Sequence, residues 1–429
     1  MMRILDFDSM TPEDIFDRNR ETQNMAIRET VDEILQQVRD RGDQALYDYG
    51  EKFDRVRLSQ LEVTEQELEA AFACLDPALL STLQAAAENI RSFHQNQVRS
   101  GFIVTGENGV VMGQRVLPIE WVGIYVPGGT AAYPSTVLMN AIPAKIAGCG
   151  QILMMTPPRQ DGTVAPAILA AAKLAGVDRI FKAGGAQAIG ALAFGTETVP
   201  KVDKITGPGN AYVAEAKRQV FGRVAIDMIA GPSEILVVAD GNSDARQVAA
   251  DLLSQAEHDR MAAAVLVTDS MELAKAVQGE IERQLEVLPR QEIARTSIEN
   301  NGKIIVVQDL RRAIEVSNEI APEHLELCVD QPFDYLDQVK NAGSVFLGRS
   351  CPEALGDYMA GPNHTLPTSG TARFYSPLSV DDFVKKSQYT YYTPAALGTV
   401  KEDVVRFARQ EGLEAHARSV LSRFGEENT

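Results

Sequence analysis

The 429-residue chain is 45% apolar, enough at roughly 150 residues per domain for two or three cores, which excludes a disordered tail or a small stapled module. Lys and Arg number 41 against 59 Asp and Glu, a formal net charge of −18 without any basic cluster, a balance that repels nucleic acid and anionic lipid. No apolar run approaches the roughly 20 residues of a membrane span, and the opening MMRILDFDSMTPEDIF is acidic and polar, so a cytoplasmic protein is expected.

In chain order, the first 120 or so residues read as helical. ETVDEILQQVRDRGDQALYDYGEKFD and DPALLSTLQAAAENIRSFHQNQV carry apolar residues at helical spacing. From Trp121 the texture changes to short β-branched runs alternating with small-residue helices: WVGIYVP, PSTVLMNAIPAKIAGCG, QILMMTP, VAPAILAAAKLAG, RIFKAGG, AQAIGALAFGT and KVDKITGPGN. Apolar strands alternating with helices predict a parallel sheet covered on both faces. After GPSE a second alternation follows, with strands EILVVAD, AAVLVTD, KIIVVQD, HLELCV and AGSVFLG. Two α/β units are therefore expected. Beyond about Ser376 the strand signals fade into an amphipathic helical tail, too thin to be a domain, that must pack on something, such as another subunit. We place an N-terminal arm at 1–20, a first α/β domain with a helical N-terminal part at 21–122 and 234–378, a second α/β domain at 123–233 and the tail at 379–429.

The glycine-rich turns VPGGTAAYPS, KAGGAQAIG and TGPGNAY each sit where a strand ends and a helix begins, the place where open α/β sheets bind ligands and where backbone amides favour phosphate. None matches GxGxxG, so tight βα turns explain them equally well. DLLSQAEHDR puts Gln255 and His258 three apart on a predicted helix, beside the apolar stripe Val248, Leu252 and Ala256. The pair suits two metal ligands or a solvated helix edge.

In EIAPEHLEL, Glu323 and His324 follow Pro322 just before a strand, adjacent acid and base groups suited to stepwise proton transfer, or else a capped loop. The long loop CPEALGDYMAGPNHTLPTSG offers Asp357 as a metal carboxylate and His364 as a loop hydrogen-bonding group. In the tail, Glu411 and His416 lie about 140° apart on an ideal helix, and face one site only if the helix begins or bends near Gly412. The four cysteines, Cys74, Cys149, Cys328 and Cys351, form no CxxC pair, so reduced thiols are expected. No histidine lies near Cys149 or Cys351 in sequence, and a covalent thiolate mechanism is disfavoured.

Taken together and in this order, GPGNAYVAEAKRQVFG, AIDMIAGPSEILVVAD, LLSQAEHD, APEHLEL and GDYMAGPNHTLPTSGTARF closely resemble the histidinol dehydrogenase family, over nearly the whole chain. The resemblance implies two incomplete Rossmann-like α/β domains in an intertwined homodimer with one zinc ion per subunit. It implies oxidation of L-histidinol through L-histidinaldehyde to L-histidine, in histidine biosynthesis, with two NAD reduced in succession. Gln255, His258, Asp357 and His416 match the zinc ligands, and Glu323 and His324 the catalytic pair. Ser233, Gln255, His258, His324, Asp357, Glu411 and His416 match substrate contacts, with Glu411 and His416 reaching the site from the partner subunit. Tyr125, Gln187 and Asn210 match NAD contacts. The alternative is a zinc and NAD enzyme for another polyol or amino alcohol, against which Glu411 argues, since a substrate without an amino group has no need of that carboxylate. No role is assigned to His94 or His364.

Overall fold

The computed structural model describes residues 1–7, 25–128 and 132–425. Most of the expected N-terminal arm, residues 129–131 of the first glycine-rich turn and the last four residues of the tail lie outside these. The chain divides into two compact units, Met1–Val98 with Ile119–Phe383, and Arg99–Pro118 with Val384–Thr429.

The first unit begins with β1 (Arg3–Asp6), followed by α1 (Met25–Arg41), α2 (Asp43–Tyr49), a π-helical turn at Gly50–Asp54, α3 (Glu65–Ala73) and α4 (Pro77–His94). In the second unit come β2 (Phe102–Thr105) and β3 (Val111–Pro118). Back in the first, the alternation runs β4 (Trp121–Tyr125), α5 (Pro134–Ala147), β5 (Gln151–Thr156), α6 (Pro166–Ala175), β6 (Arg179–Lys182), α7 (Gly185–Phe194), β7 (Lys204–Thr206), α8 (Ala211–Val220) and β8 (Ala225–Ile226). It continues with β9 (Glu234–Ala239), α9 (Ala245–Ala256), β10 (Ala263–Thr268), α10 (Met271–Leu285), α11 (Gln291–Asn300), β11 (Lys303–Val306), α12 (Leu310–Ile320), β12 (His324–Cys328), α13 (Phe333–Leu336), β13 (Ser344–Leu347) and α14 (Glu353–Tyr358).

These strands form two all-parallel sheets, ordered β6-β5-β4-β7-β8 and β1-β11-β10-β9-β12-β13. Counting from β4 in one and β9 in the other, each reads 3-2-1-4-5, the dinucleotide-fold order without its sixth strand. Every position of β9 and β12 is buried, as strands covered on both faces require. The order places a switch point between β4 and β7 in the first sheet and between β9 and β12 in the second.

The N-terminal helices serve the five-stranded sheet, whereas the sequence reading groups 21–122 with 234–378. Val31, Ile34, Leu35 and Val38 make one buried stripe of α1, which packs against α7 and α8, while α4 packs on α5 and α3 on α6. A side chain at Gly190 of α7 would come within 3.1 Å of Leu35, so its absence lets the two helices close up. Only β1, in register with β11 from Arg3↔Lys303 to Asp6↔Val306, belongs to the other sheet.

The second unit corrects the expectation of an all-helical N-terminal region and tail. β14 (Val384–Tyr391) pairs antiparallel with β3 from Val384↔Pro118 to Tyr391↔Val111, and β2 flanks β3 on its other side. VKKSQYTY carries too little apolar contrast for a strand signal. Two helices follow, α15 (Pro394–Gln410) and α16 (Glu414–Leu421), separated at Gly412 with φ 72°, the break that the Glu411 and His416 spacing called for. Val405, Ala408, Ala417 and Leu421 bury against one another and join the pair. Among the described residues, no single helix is long and apolar enough to cross a membrane.

Candidate active site

At the amino ends of β9 and β12, one residue's backbone organises an acid and a base. Parallel pairing sets His324 opposite Ile235, which leaves the backbone of Glu234 facing the start of β12. Its N–H donates to Glu323 Oε2 at 2.9 Å, and its carbonyl accepts from His324 Nδ1 at 3.0 Å. Because a carbonyl only accepts, the imidazole proton is held on Nδ1 and the Nε2 lone pair is left available. Burial lowers the His324 pKa to about 4, keeping the ring neutral. The fully buried Glu323 is pushed well above the usual carboxylate range, first by burial, with Glu234, Asp357 and Glu353 adding and the Glu234 N–H opposing.

The helix α14 brings a carboxylate pair to the same place. Glu353 and Asp357, four apart, share a helical face. The α14 N-terminus is anchored where the Glu353 N–H donates to Glu326 Oε1 at 2.7 Å. Glu353 Oε1 lies 3.7 Å from His324 Nε2 and makes no hydrogen bond. Burial and the Asp357 charge raise the Glu353 pKa to about 8. Burial would raise Asp357 too, but His364, with Nδ1 3.4 Å from Asp357 Oδ1 and 3.2 Å from its carbonyl, together with His324 and His258 holds it below the usual carboxylate range. His364 therefore orients Asp357.

Donor atoms of His324, Glu353 and Asp357 all lie within 4.8 Å of one another. Helix α9 ends at Ala256, so Gln255 is in the helix and His258 in the turn beyond it, with His258 N–H donating to the Gln255 carbonyl at 3.1 Å. Gln255 Nε2 is 3.5 Å from His258 Nδ1, and the buried Gln255 Oε1 has no hydrogen-bond partner. Its burial without a partner is costly. An unpartnered amide oxygen suits a divalent cation, which would also offset the charge of buried carboxylates; the donors that converge with Asp357 are those of His324 and Glu353, and His258 is not among them. Ser233 is half-buried and adjacent, its carbonyl accepting from the Ala263 N–H at 3.0 Å. Glu411 and His416 belong to the second unit, at the end of α15 and in the first turn of α16, both exposed.

A cavity of about 1080 Å³ in the first unit gathers the other three expected residues, Tyr125, Gln187 and Asn210. It adjoins the β4/β7 switch point, where carboxyl ends of strands meet helix starts. Tyr125, buried at the end of β4, accepts the Gly185 N–H at 3.0 Å, tying the strand to the start of α7; burial moves its phenol up to about 12. Asn210 caps α8 by accepting from the Tyr212 and Val213 N–H groups, so its amide nitrogen is the group it can offer a ligand. The turn before it is pinned by Gly207, whose N–H donates to Asp227 and whose carbonyl accepts from Lys217, the latter two forming an ion pair only 1% and 3% exposed. Gly207 has φ 112°, and a Cβ there would lie 2.1 Å from the Tyr125 carbonyl oxygen, so no other residue fits.

Sequence reasoning missed Glu234 and Glu353. The Glu353 to Asp357 spacing was a usable helical signal; nothing local points to the backbone role of Glu234. His94, fully buried, bonds Gln97 at 2.7 Å and lies 3.5 Å from Asn363, a structural contact between α4 and the loop after α14. Cys149 is buried with its thiol raised to about 11, chiefly by burial, and so is no nucleophile.

The histidinol dehydrogenase family model matches residues 17–424. The chain is 55% identical over 427 residues to histidinol dehydrogenase of Clostridium acetobutylicum, covering 99% of each chain, and 57% identical over 401 residues to that of Bacillus thuringiensis, covering 94% of this chain and 93% of the relative. The crystal structure of histidinol dehydrogenase from Elizabethkingia anophelis superposes with a TM-score of 0.92 at 40% identity, over 100% of this chain and 99% of that one. Matches of this extent, joined to an acid–base cluster built from the same sequence blocks, settle the family: this chain is a member of the histidinol dehydrogenase family.

Proposed function

We propose that the protein oxidises L-histidinol through L-histidinaldehyde to L-histidine, reducing two NAD in succession, with one zinc ion per subunit. The observation that carries this reading is the buried Glu323–His324 pair held on the backbone of Glu234. Gln255, His258 and Asp357 would hold the zinc, with His416 and the substrate contact Glu411 supplied by the partner subunit of a homodimer. Exposed Phe102, Ile103 and Val104 of β2 and Phe407 of α15 support burial of the second unit against another copy. When bound, zinc would anchor the substrate's imidazole and amino nitrogens, and NAD in the cavity would accept hydride.

The residues then divide the work. His324, neutral with Nδ1–H committed, takes the alcohol proton on Nε2 as the carbinol C–H bond gives up its hydride. Glu323 takes a proton from the water that adds to the aldehyde carbon while His324 returns its proton to the carbonyl oxygen, forming the hydrate and leaving His324 neutral again. His324 takes the hydrate's hydroxyl proton in the second oxidation, so two hydrides leave, one water enters and a carboxylate results. Ser233 and Glu411 orient the substrate, Glu411 through its amino group. Keeping the aldehyde bound between the steps prevents loss of a reactive intermediate.

The test is NADH formed per histidine by the zinc-loaded protein on L-histidinol, with a simple polyol as comparison. Two NADH per histidine is expected. One NADH with released aldehyde would sink the two-step reading, and turnover of the polyol alone would move the substrate to another alcohol.

A further inference from the structure

We infer that the Asp54 carboxylate binds a ribose hydroxyl of the dinucleotide in the large cavity and selects NAD over NADP. The inference rests on the reading of that cavity as the NAD site.

Asp54 closes the π-helical turn Gly50–Asp54, and the next residue, Arg55, takes a left-handed conformation with φ 57°. A π turn followed by a non-glycine residue at positive φ is a costly local geometry of the sort found at functional sites. The turn delivers Phe53 and Asp54 to the cavity wall, alongside Tyr125, Pro157 and Gln187. Asp54 Oδ2 is buried and has no hydrogen-bond partner. Burial alone raises the group, to about 6, with no donor or cation pulling it back. A buried acceptor without a partner destabilises the fold unless something else completes it.

The chemistry of a dinucleotide narrows what that is. A carboxylate only accepts hydrogen bonds, so it repels the phosphates and needs a donor. The first turn of α7 beyond Gly185, whose own N–H goes to Tyr125, offers the phosphates helix amides instead. Adjacent ribose hydroxyls are the densest donors that remain. In dinucleotide folds an acidic residue after the second strand accepts the ribose 2′-hydroxyl. Here that strand is β5, and the carboxylate of the loop after it, Asp161, also lines the cavity but is exposed, with Oδ1 already accepting from the Thr163 N–H at 2.9 Å and from its hydroxyl at 2.6 Å. Asp54, from the helical layer, lines the same cavity and takes that part. A 2′-phosphate in its place would remove the donor and set like charges together.

The experiment compares full-length Asp54→Asn and Gln187→Ala with the parent protein, measuring KM for NAD and NADP and the melting temperature without ligands. Loss of a charge-assisted hydrogen bond predicts a KM for NAD raised about tenfold or more in Asp54→Asn, with a smaller change in kcat. The preference for NAD over NADP should narrow by a similar factor. The ligand-free melting temperature should rise, because an unpaired buried charge has gone. A lowered melting temperature with unchanged KM would make Asp54 structural and overturn the inference. If Gln187→Ala weakens NAD while Asp54→Asn changes neither KM nor the NADP ratio, the cavity reading stands and the role of Asp54 falls. If both variants bind NAD as the parent does, the cavity reading falls as well.

Discussion

The two parallel sheets share one strand order and use opposite ends of it. In the five-stranded sheet, the carboxyl ends of β4 and β7 open onto the large cavity, and the buried Lys217–Asp227 pair serves to shape the Gly207 turn beside it. In the six-stranded sheet, the corresponding ends of β9 and β12 run into Asp240 and Asp330, which Arg349 bridges, with Ser243 3.3 Å from its Nε. Protein side chains thus occupy the place where a ligand would add its charge. The acid–base cluster of that sheet sits at the amino ends, on Glu234, Glu323 and His324. Strand order therefore creates a crevice, but the residues just past the strand ends decide whether a ligand or an ion pair fills it.

Four measurements bear on this contrast. The largest effect belongs to the amino-end cluster: His324→Asn should lower kcat by about 10²–10⁴-fold while NAD affinity, read by titration, stays unchanged. A comparable loss of affinity would mean that cavity and cluster are not separable as described. Next, Lys217→Met leaves Asp227 charged and buried, and should cost about 3–5 kcal/mol in denaturant unfolding, with weakened NAD binding because the Gly207 turn loses its clamp. A loss below about 1 kcal/mol would show that the turn holds without it.

A smaller effect is expected from pH. The Asp54 pKa is about 6 in the folded protein against an ordinary 3.8, so the folded state binds the extra proton between those values. The stability this group contributes is present below about pH 4 and is lost as pH rises through about 6. Melting temperatures across that window should slope less in Asp54→Asn; an unaltered slope would show that this carboxyl is as solvated folded as unfolded. Smallest of all, Arg349→Met should cost about 1–2 kcal/mol and leave the KM for NAD alone, since its partner Asp330 is largely exposed and the buried Asp240 keeps the hydrogen bonds from the Asn242 and Asp330 N–H groups. A raised KM would give the second crevice a share in cofactor binding and erase the contrast.

The parts of this protein legible in its sequence are those whose cause is local. Apolar runs such as EILVVAD and QILMMTP announce buried parallel strands, since a strand covered on both faces has no polar side to show. Glu323–His324 and the Gly412 break are likewise properties of neighbouring residues. The resemblance of whole sequence blocks reached further, to Tyr125, Gln187 and Asn210, which come from separate turns and line one cavity.

Tertiary structure alone decided the rest. The antiparallel strands β2, β3 and β14 draw on segments more than 260 residues apart, for example Val384 with Pro118, and exposed strands leave little pattern to read. Glu234 acts through its backbone, so its side-chain identity carries no signal, and only the β9–β12 register turns its N–H and carbonyl toward the acid and the base. Asp54 sits in a helical segment with no motif around it, and becomes a candidate ligand group only because α1 and the π turn line one wall of the cavity, with Tyr125 and Pro157 on it as well. Chain neighbours determine propensity and charge, whereas the distance between groups far apart in sequence is set by how the sheets and helices pack.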